Sequence, residues 1–144
     1  MTVLPATAWR WLAASLAMAF GAATLLEGGH VLFGGTAARA ATGEVVPFVL
    51  WFNVVAGLGY VAAGAAVFAN RPWAVTIAWV LTATTTLVLL GLFVHIALGG
   101  GYMRRTVAAM IVRTMFWLAF AILVPRLVSH QRAARVNRKA TAST

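Results

Sequence analysis

Five polar side chains lie inside the apolar stretches of this sequence, where they could do chemistry. They comprise a carboxylate, two imidazoles, an amide and a guanidinium: Glu27, His30, His95, Asn53 and Arg113. Ionisable groups in such stretches are costly, and they usually face a cavity or the interior of a helix bundle. Glu27 and His30 lie three residues apart, so they share a face if that segment is helical. These five residues are the candidates for a functional site.

The composition indicates that the surrounding chain is an integral membrane protein. Of its 144 residues, 62% are hydrophobic and 9% are charged, and the mean hydropathy is +0.92. Soluble domains average about 45–50% apolar and about 25% charged residues. A net charge of +9 would suggest nucleic-acid binding in a soluble protein, but here the cations lie mainly between the apolar stretches and in the C-terminal tail. We therefore expect a lipid bilayer, and not nucleic acid, as the partner. The chain has no cysteine, which excludes disulfide exchange and thiolate metal ligands.

Four apolar segments are long enough to cross a bilayer as helices, which takes about 20 residues each. The predicted spans are 9–33, 46–69, 73–98 and 106–124. Pro47 suits the first turn of the second helix, Asn70-Arg71-Pro72 is typical of a tight turn, and Gly99-Gly100-Gly101 should end the third helix. The predicted fold class is all-α, a polytopic four-helix bundle formed by residues 1–126 and followed by a basic tail, 127–144.

The positions of arginine and lysine predict the orientation of this bundle in the cell membrane. An even number of spans puts both termini on one side, and most cations fall there, including Arg10, Arg71 and the basic tail. The opposite side carries Arg39, Arg104 and Arg105. Because cytoplasmic segments hold the excess of positive charge, we expect both termini in the cytoplasm. The tail would then meet anionic lipid headgroups.

Counting helical turns places the five polar residues at a similar depth. Glu27 lies about two turns from the outer end of the first span, and His30 and His95 lie about one turn from the outer ends of theirs. Asn53 lies about two turns into the second span and Arg113 about two and a half turns into the fourth. We therefore expect them to converge on an outward-facing cavity in the outer half of the bilayer.

The second span adds a phenol to this predicted cavity and a surface for close packing. Asn53, Gly57, Tyr60 and Gly64 follow one stripe of the helix. Small residues let membrane helices approach closely, and this span has several of them. They are Ala56, Gly57, Gly59, Ala63 and Gly64.

A metal centre is one interpretation of the polar residues. Glu27, His30 and His95 supply one carboxylate and two imidazoles, a set that suits zinc, copper or non-haem iron with open positions left over. Asn53 and Tyr60 would orient these ligands.

A pocket for a lipid-soluble redox cofactor is a second interpretation. The histidines would hydrogen-bond a quinone, or they would ligate a haem from two helices at equal depth. Asn53, Tyr60 and Arg113 would bind the cofactor, with Arg113 holding an anionic or carbonyl group.

Two further interpretations need no cofactor. Glu27 and Arg113 could neutralise each other as a structural ion pair between the first and fourth helices, in a subunit of a larger membrane complex. The same pair could exchange partners in a small proton-coupled transporter or channel subunit. The glycine- and alanine-rich helices also leave enough small-residue surface for a homo-oligomer.

Four threonines lie close together in the third span: Thr82, Thr84, Thr85 and Thr86. Threonine hydroxyls inside membrane helices usually bond back to the backbone of their own helix. We therefore predict local hydrogen bonds for them rather than a polar path.

The second span and the turn after it carry a resemblance to a known family. The segment Ala56-Gly-Leu-Gly-Tyr-Val-Ala-Ala-Gly64, followed by Asn70-Arg-Pro-Trp-Ala74, resembles the second helix and following turn of DoxX-like small membrane proteins. That family tends to carry an acidic residue early in this helix, where this sequence has Asn53. The resemblance implies a four-helix plan and a role linked to redox chemistry or quinones, since some members are linked to quinone-coupled oxidation of sulfur compounds.

The predicted function is therefore binding of a transition metal or a quinone- or haem-like ligand at an outward-facing polar site within the membrane. A redox-linked role would make the protein a membrane oxidoreductase or a subunit of one. The proton-coupled transporter and the structural subunit remain the alternatives.

Overall fold

The computed structural model describes residues 6–35 and 43–141, and four α-helices account for nearly all of this part. The helices are α1 (Ala6–Phe33), α2 (Pro47–Phe68), α3 (Trp73–Ala97) and α4 (Arg104–Thr141). Each contains a stretch long and apolar enough to cross a membrane. The predicted all-α fold with four membrane-length helices is confirmed. The predicted loop around Arg39 lies mostly outside the described residues.

The helix boundaries follow the predicted signals. Pro47 occupies the first turn of α2, where its missing N–H costs no hydrogen bond. Asn70 adopts the left-handed conformation (φ 53°), and the N–H of Arg71 donates to the carbonyl of Ala66 at 2.8 Å, which closes the turn into α3. Gly99 (φ 81°) ends α3 in the same left-handed region, which glycine adopts without steric cost.

Small residues hold α1 and α2 together as an antiparallel pair. A Cβ atom added at Gly64 would lie 2.8 Å from the carbonyl oxygen of Ala14, and one added at Gly21 would lie 2.9 Å from that of Gly57. The two backbones are therefore too close for any side chain at these positions. In lipid, this close approach stabilises the pair by dispersion contacts, because the surrounding acyl chains are as apolar as the helices.

An aromatic layer fills the bundle at mid-height. The rings of Tyr60 and Trp117, both fully buried, lie 4.6 Å apart between centroids. Phe20 and Phe116 complete the layer, with their centroids 4.8 Å apart, and Phe120 continues it along α4.

A smaller cluster closes the bundle at the end that carries Glu44 and the three glycines. Its buried members are Val46, Val49, Leu89, Leu92 and Met110. These residues belong to α2, α3, α4 and the residue before α2, and α1 packs mainly on α2 rather than on α4. A cavity therefore remains between α1, α2 and α4 at this end.

Helix α4 continues through Pro125 to Thr141, beyond the predicted end of the fourth membrane span at Val124. Proline removes one backbone hydrogen bond from a helix interior, and α4 continues past Pro125 without that bond. Its membrane-length stretch is Arg104–Arg126. The side chains of the basic tail lie outside the described part, so the contact with anionic lipid headgroups stays a prediction.

Candidate functional site

A cavity of about 430 Å³ lies between α1, α2 and α4, in the half of the bundle nearer Glu44. Its lining combines apolar side chains with charged and amide groups. The polar lining includes Thr24, Glu27, His30, Asn53, Arg105 and Arg113. Four of the six residues predicted for the site therefore meet in one cavity, namely Glu27, His30, Asn53 and Arg113.

Arg113 places a guanidinium inside the protein with few partners. The residue is 8% exposed. Its Nη2 donates to Thr24 Oγ1 at 3.4 Å, and its Cζ lies 5.8 Å from the centroid of the Phe20 ring. Its Nε finds no hydrogen-bond partner among the described residues. A guanidinium offers five N–H donors, so most of this capacity is left for another acceptor.

Glu27 is a loose counter-ion for this guanidinium. Its Oε2 lies 4.0 Å from Arg113 Nη2, and its side chain is 79% exposed, whereas that of Arg113 is 10% exposed. A bidentate arginine–carboxylate pair has two parallel hydrogen bonds of about 2.7–2.9 Å. The carboxylate therefore stands at the edge of the cavity and does not saturate the buried cation. His30 is exposed on the same edge, as the three-residue spacing predicted.

Asn53 presents an amide to the cavity from α2. The residue is half-buried, and its Oδ1 is buried without a hydrogen-bond partner among the described residues. Buried amide oxygens are normally paired, because leaving one unpaired costs free energy. Asn53 also lines a smaller cavity of about 120 Å³, which shares Arg105 and Thr106 with the first. The two cavities therefore adjoin at this amide.

Tyr60 lies deeper than the described lining of the cavity. It is fully buried, and its ring packs against Trp117 and Phe20. Residue 60 is about two helical turns beyond Asn53, which carries it from the level of the cavity into the aromatic layer. Its phenol therefore belongs to the floor beneath the site rather than to the ligand-facing surface.

His95 lies apart from Glu27 and His30. Its Nε2 is 3.2 Å from the carbonyl oxygen of Gly101, and its ring centroid is 6.1 Å from that of Phe48. Helix α3 packs mainly on α4 and α2, which turns this histidine toward the glycine loop. Within 6–35 and 43–141, no group of three His, Cys, Asp or Glu side chains could hold a metal ion. The predicted metal set is therefore not assembled.

Several polar residues of this region were not predicted from the sequence. Thr24 and Arg105 line the cavity, and the Glu44 carboxylate lies against Gly101 in the loop that also meets His95. Thr24 could have been predicted, because it lies three residues before Glu27 and therefore on the same helical face. Arg105 lies just before the predicted start of the fourth span, and no spacing pattern links it to the site.

The threonines of α3 behave largely as predicted. Thr82, Thr84 and Thr86 each donate to the carbonyl oxygen four residues earlier at 2.8 Å. Thr85, fully buried beside Tyr60, makes no such bond to its own helix. The other three hydroxyls therefore bond within their own helix, as predicted.

Comparison with known proteins identifies no relative. No family model matches the chain, and no curated protein or solved structure matches it significantly. The resemblance of α2 and the following turn to DoxX-like proteins therefore stays a prediction.

Proposed function

We propose that this chain is a multi-pass membrane protein that binds a lipid-soluble ligand through a carbonyl oxygen, as a quinone would be bound. The site is the cavity between α1, α2 and α4. The observation that carries the proposal is the guanidinium of Arg113, which is buried at the cavity wall and only loosely paired with Glu27. In the proposed orientation both termini are cytoplasmic and the cavity opens outward from the cell membrane.

The chemistry of the lining fits a ligand of this class. A buried cation with unused N–H groups favours an acceptor oxygen, because hydrogen bonds to charged groups are stronger than neutral ones. Asn53 offers an amide from the neighbouring helix, and apolar residues such as Val31 and Leu50 would contact a ring. The volume of about 430 Å³ lies within the range of about 300–1,000 Å³ that small-molecule sites occupy.

The described residues do not fit a metal or a haem held by two histidines. Glu27 and His30 reach the cavity from α1, but His95 hydrogen-bonds in a different part of the bundle. A zinc site needs at least three protein ligands, and a haem held between helices needs an axial ligand from each side. A quinone requires only hydrogen bonds, which Arg113 and Asn53 can supply. A redox-linked role would make the chain an oxidoreductase subunit whose partner exchanges electrons with the ligand.

Proton-coupled transport is a second candidate, favoured by the unequal burial of the ion pair. Because Glu27 is largely exposed and Arg113 is not, the carboxylate could move away from the cation and exchange partners without moving the arginine. In proteoliposomes, Glu27→Gln should then stop pH-driven uptake of the transported solute. Retention of the uptake in that variant would exclude this mechanism.

The main proposal is tested by titrating purified protein with a tail-less dimethoxymethylbenzoquinone and following the quenching of tryptophan fluorescence. Saturable binding should be lost in Arg113→Gln, which keeps a polar side chain and removes the charge. Arg71→Gln is the matched control, because Arg71 is exposed in the turn at the other end of the bundle. Equal binding by all three proteins, or no binding by the wild type, would contradict the proposal.

A further inference from the structure

A second, apolar groove of about 150 Å³ lies between α1 and α4, on the side of the aromatic layer away from Glu27. Its walls are formed by large aliphatic and aromatic side chains with small residues between them. They include Leu12, Leu16, Phe116, Ala119, Phe120 and Leu123. The groove faces lipid because α1 packs mainly on α2, and α4 mainly on α3, which leaves the seam between α1 and α4 loosely filled.

The groove and the polar cavity lie along the same seam, and two phenylalanine rings lie between them. The guanidinium carbon of Arg113 lies 5.8 Å from the ring centroid of Phe20. Phe20 lies 4.8 Å from Phe116, and Phe116 lines the groove. Both rings are half-buried, so a chain that leaves the cavity beside Arg113 can pass over their exposed edges to reach the groove.

The dimensions of the seam suit a head group with a long tail. Phe116 lies three residues after Arg113, and Leu123, another wall residue of the groove, lies ten residues after it. At a rise of about 1.5 Å per residue, the groove therefore runs from about 5 to about 15 Å beyond the Cα atom of Arg113 along the helix axis. That stretch of about 10 Å is about a third of the hydrocarbon thickness of a bilayer.

We infer that the groove binds the hydrocarbon tail of the same ligand whose carbonyl head occupies the cavity. This inference rests on the proposed function and extends it to the class of ligand, a long-tailed amphiphile with a hydrogen-bond-accepting head. The polar cavity selects the head and the apolar groove selects the tail. The tail is surrounded by hydrocarbon both in the groove and in the bilayer, so the hydrophobic effect does not favour its binding. Dispersion contacts with the groove walls supply the favourable binding free energy.

The test compares two compounds that share one head, in protein reconstituted into lipid nanodiscs. One is the tail-less dimethoxymethylbenzoquinone, and the other carries a decyl chain. Ala119→Trp fills the groove from an exposed position on α4. Ala83→Trp is the matched control, since Ala83 is equally exposed on α3, outside both the cavity and the groove. Ala119→Trp should weaken binding of the decyl compound about tenfold, as overpacking a filled site does. It should leave the tail-less compound unchanged, and Ala83→Trp should change neither.

The other outcomes separate this inference from the proposed function. If the wild type binds both compounds through Arg113 and Ala119→Trp affects neither, or both alike, the groove inference fails and the head-group site stands. If the wild type binds neither compound, both proposals fail. A decyl chain that ends in a photoactivatable diazirine gives a second readout, because it should label Leu12, Leu16 or Phe120. Labelling confined to other helices would overturn the inference, as expected if the groove holds only bulk lipid or a second copy of the chain.

Discussion

Replacing Arg113 by methionine should remove ligand binding without reducing stability. Methionine is similar in length, apolar and flexible enough to fill the space that the arginine stem occupies. The substitution removes a cation that is 8% exposed, together with one hydrogen bond of 3.4 Å to Thr24 and a 4.0 Å contact to Glu27. The question is whether these contacts offset the cost of holding the charge inside the bundle.

The geometry indicates that they do not. Loose, partly exposed ion pairs contribute about 0.2–1 kcal/mol, and a well-formed hydrogen bond to a charged group contributes about 1.5–3 kcal/mol. At 3.4 Å, the bond to Thr24 is longer than the usual range of about 2.7–3.2 Å and belongs at the low end. The effective penalty for burying an ion is several kcal/mol. We therefore expect the free energy of unfolding of Arg113→Met to be either equal to that of the wild type or about 1–2 kcal/mol higher. Replacing a buried ionic group by an apolar one often has this effect.

The assay is SDS or thermal unfolding in mild detergent, followed by far-ultraviolet circular dichroism, with and without Glu27→Gln in the same background. The coupling energy between the two positions should stay below about 1 kcal/mol. A loss of about 3–5 kcal/mol in Arg113→Met, largely restored by adding Glu27→Gln, is what breaking a structural ion pair would cause. That result would contradict the expectation that the contacts of Arg113 do not offset the cost of burying it. It would favour the structural-subunit interpretation.

Two further predictions test the packing and the separation of His95 from the site. Gly64→Ala should lower the free energy of unfolding by about 1–3 kcal/mol, because the new Cβ would lie 2.8 Å from the Ala14 carbonyl oxygen. Gly29→Ala, where a Cβ meets nothing within 4 Å, should stabilise α1 by about 0.5–1 kcal/mol. The same unfolding assay checks both, and equal effects at the two glycines would contradict the close packing of α1 and α2. His95→Ala should leave quinone affinity unchanged, since His95 contacts Gly101 outside the cavity. Affinity is measured by tryptophan quenching. If His95→Ala lowers quinone affinity as much as Arg113→Gln does, His95 contributes to the site and the prediction is wrong.

The sequence predicts the helices and the depth of the polar groups because both follow from local rules. Hydropathy and segment length define the spans, and Asn70 and Gly99 mark turns by their tolerance of positive φ. The rise of a helix then fixes how far each residue lies from the end of its span. This is why Glu27, His30, Asn53 and Arg113, all predicted at one depth, do line one cavity.

The direction in which a side chain points around its helix does not follow from local rules. It depends on which helices are neighbours and how closely they pack. His95 lies in the last turn of its helix, but it turns toward Gly101 because α3 packs against α2 and α4. Tyr60 shares a stripe with Asn53, yet the aromatic layer of α4 covers it. The groove between α1 and α4 depends on which helix α1 packs against, and composition does not specify that neighbour.

The most direct test of the central claim is to identify what the protein binds in its own membrane. Wild-type protein and Arg113→Met would be purified in mild detergent, extracted with organic solvent and analysed by absorption spectroscopy and mass spectrometry. We expect a near-stoichiometric, long-tailed carbonyl compound such as a quinone in the wild-type extract, and its loss from the variant. A wild-type extract that contains only ordinary lipids, or the same compound in equal amount from the folded variant, would contradict the assignment of Arg113 and its cavity as a ligand site.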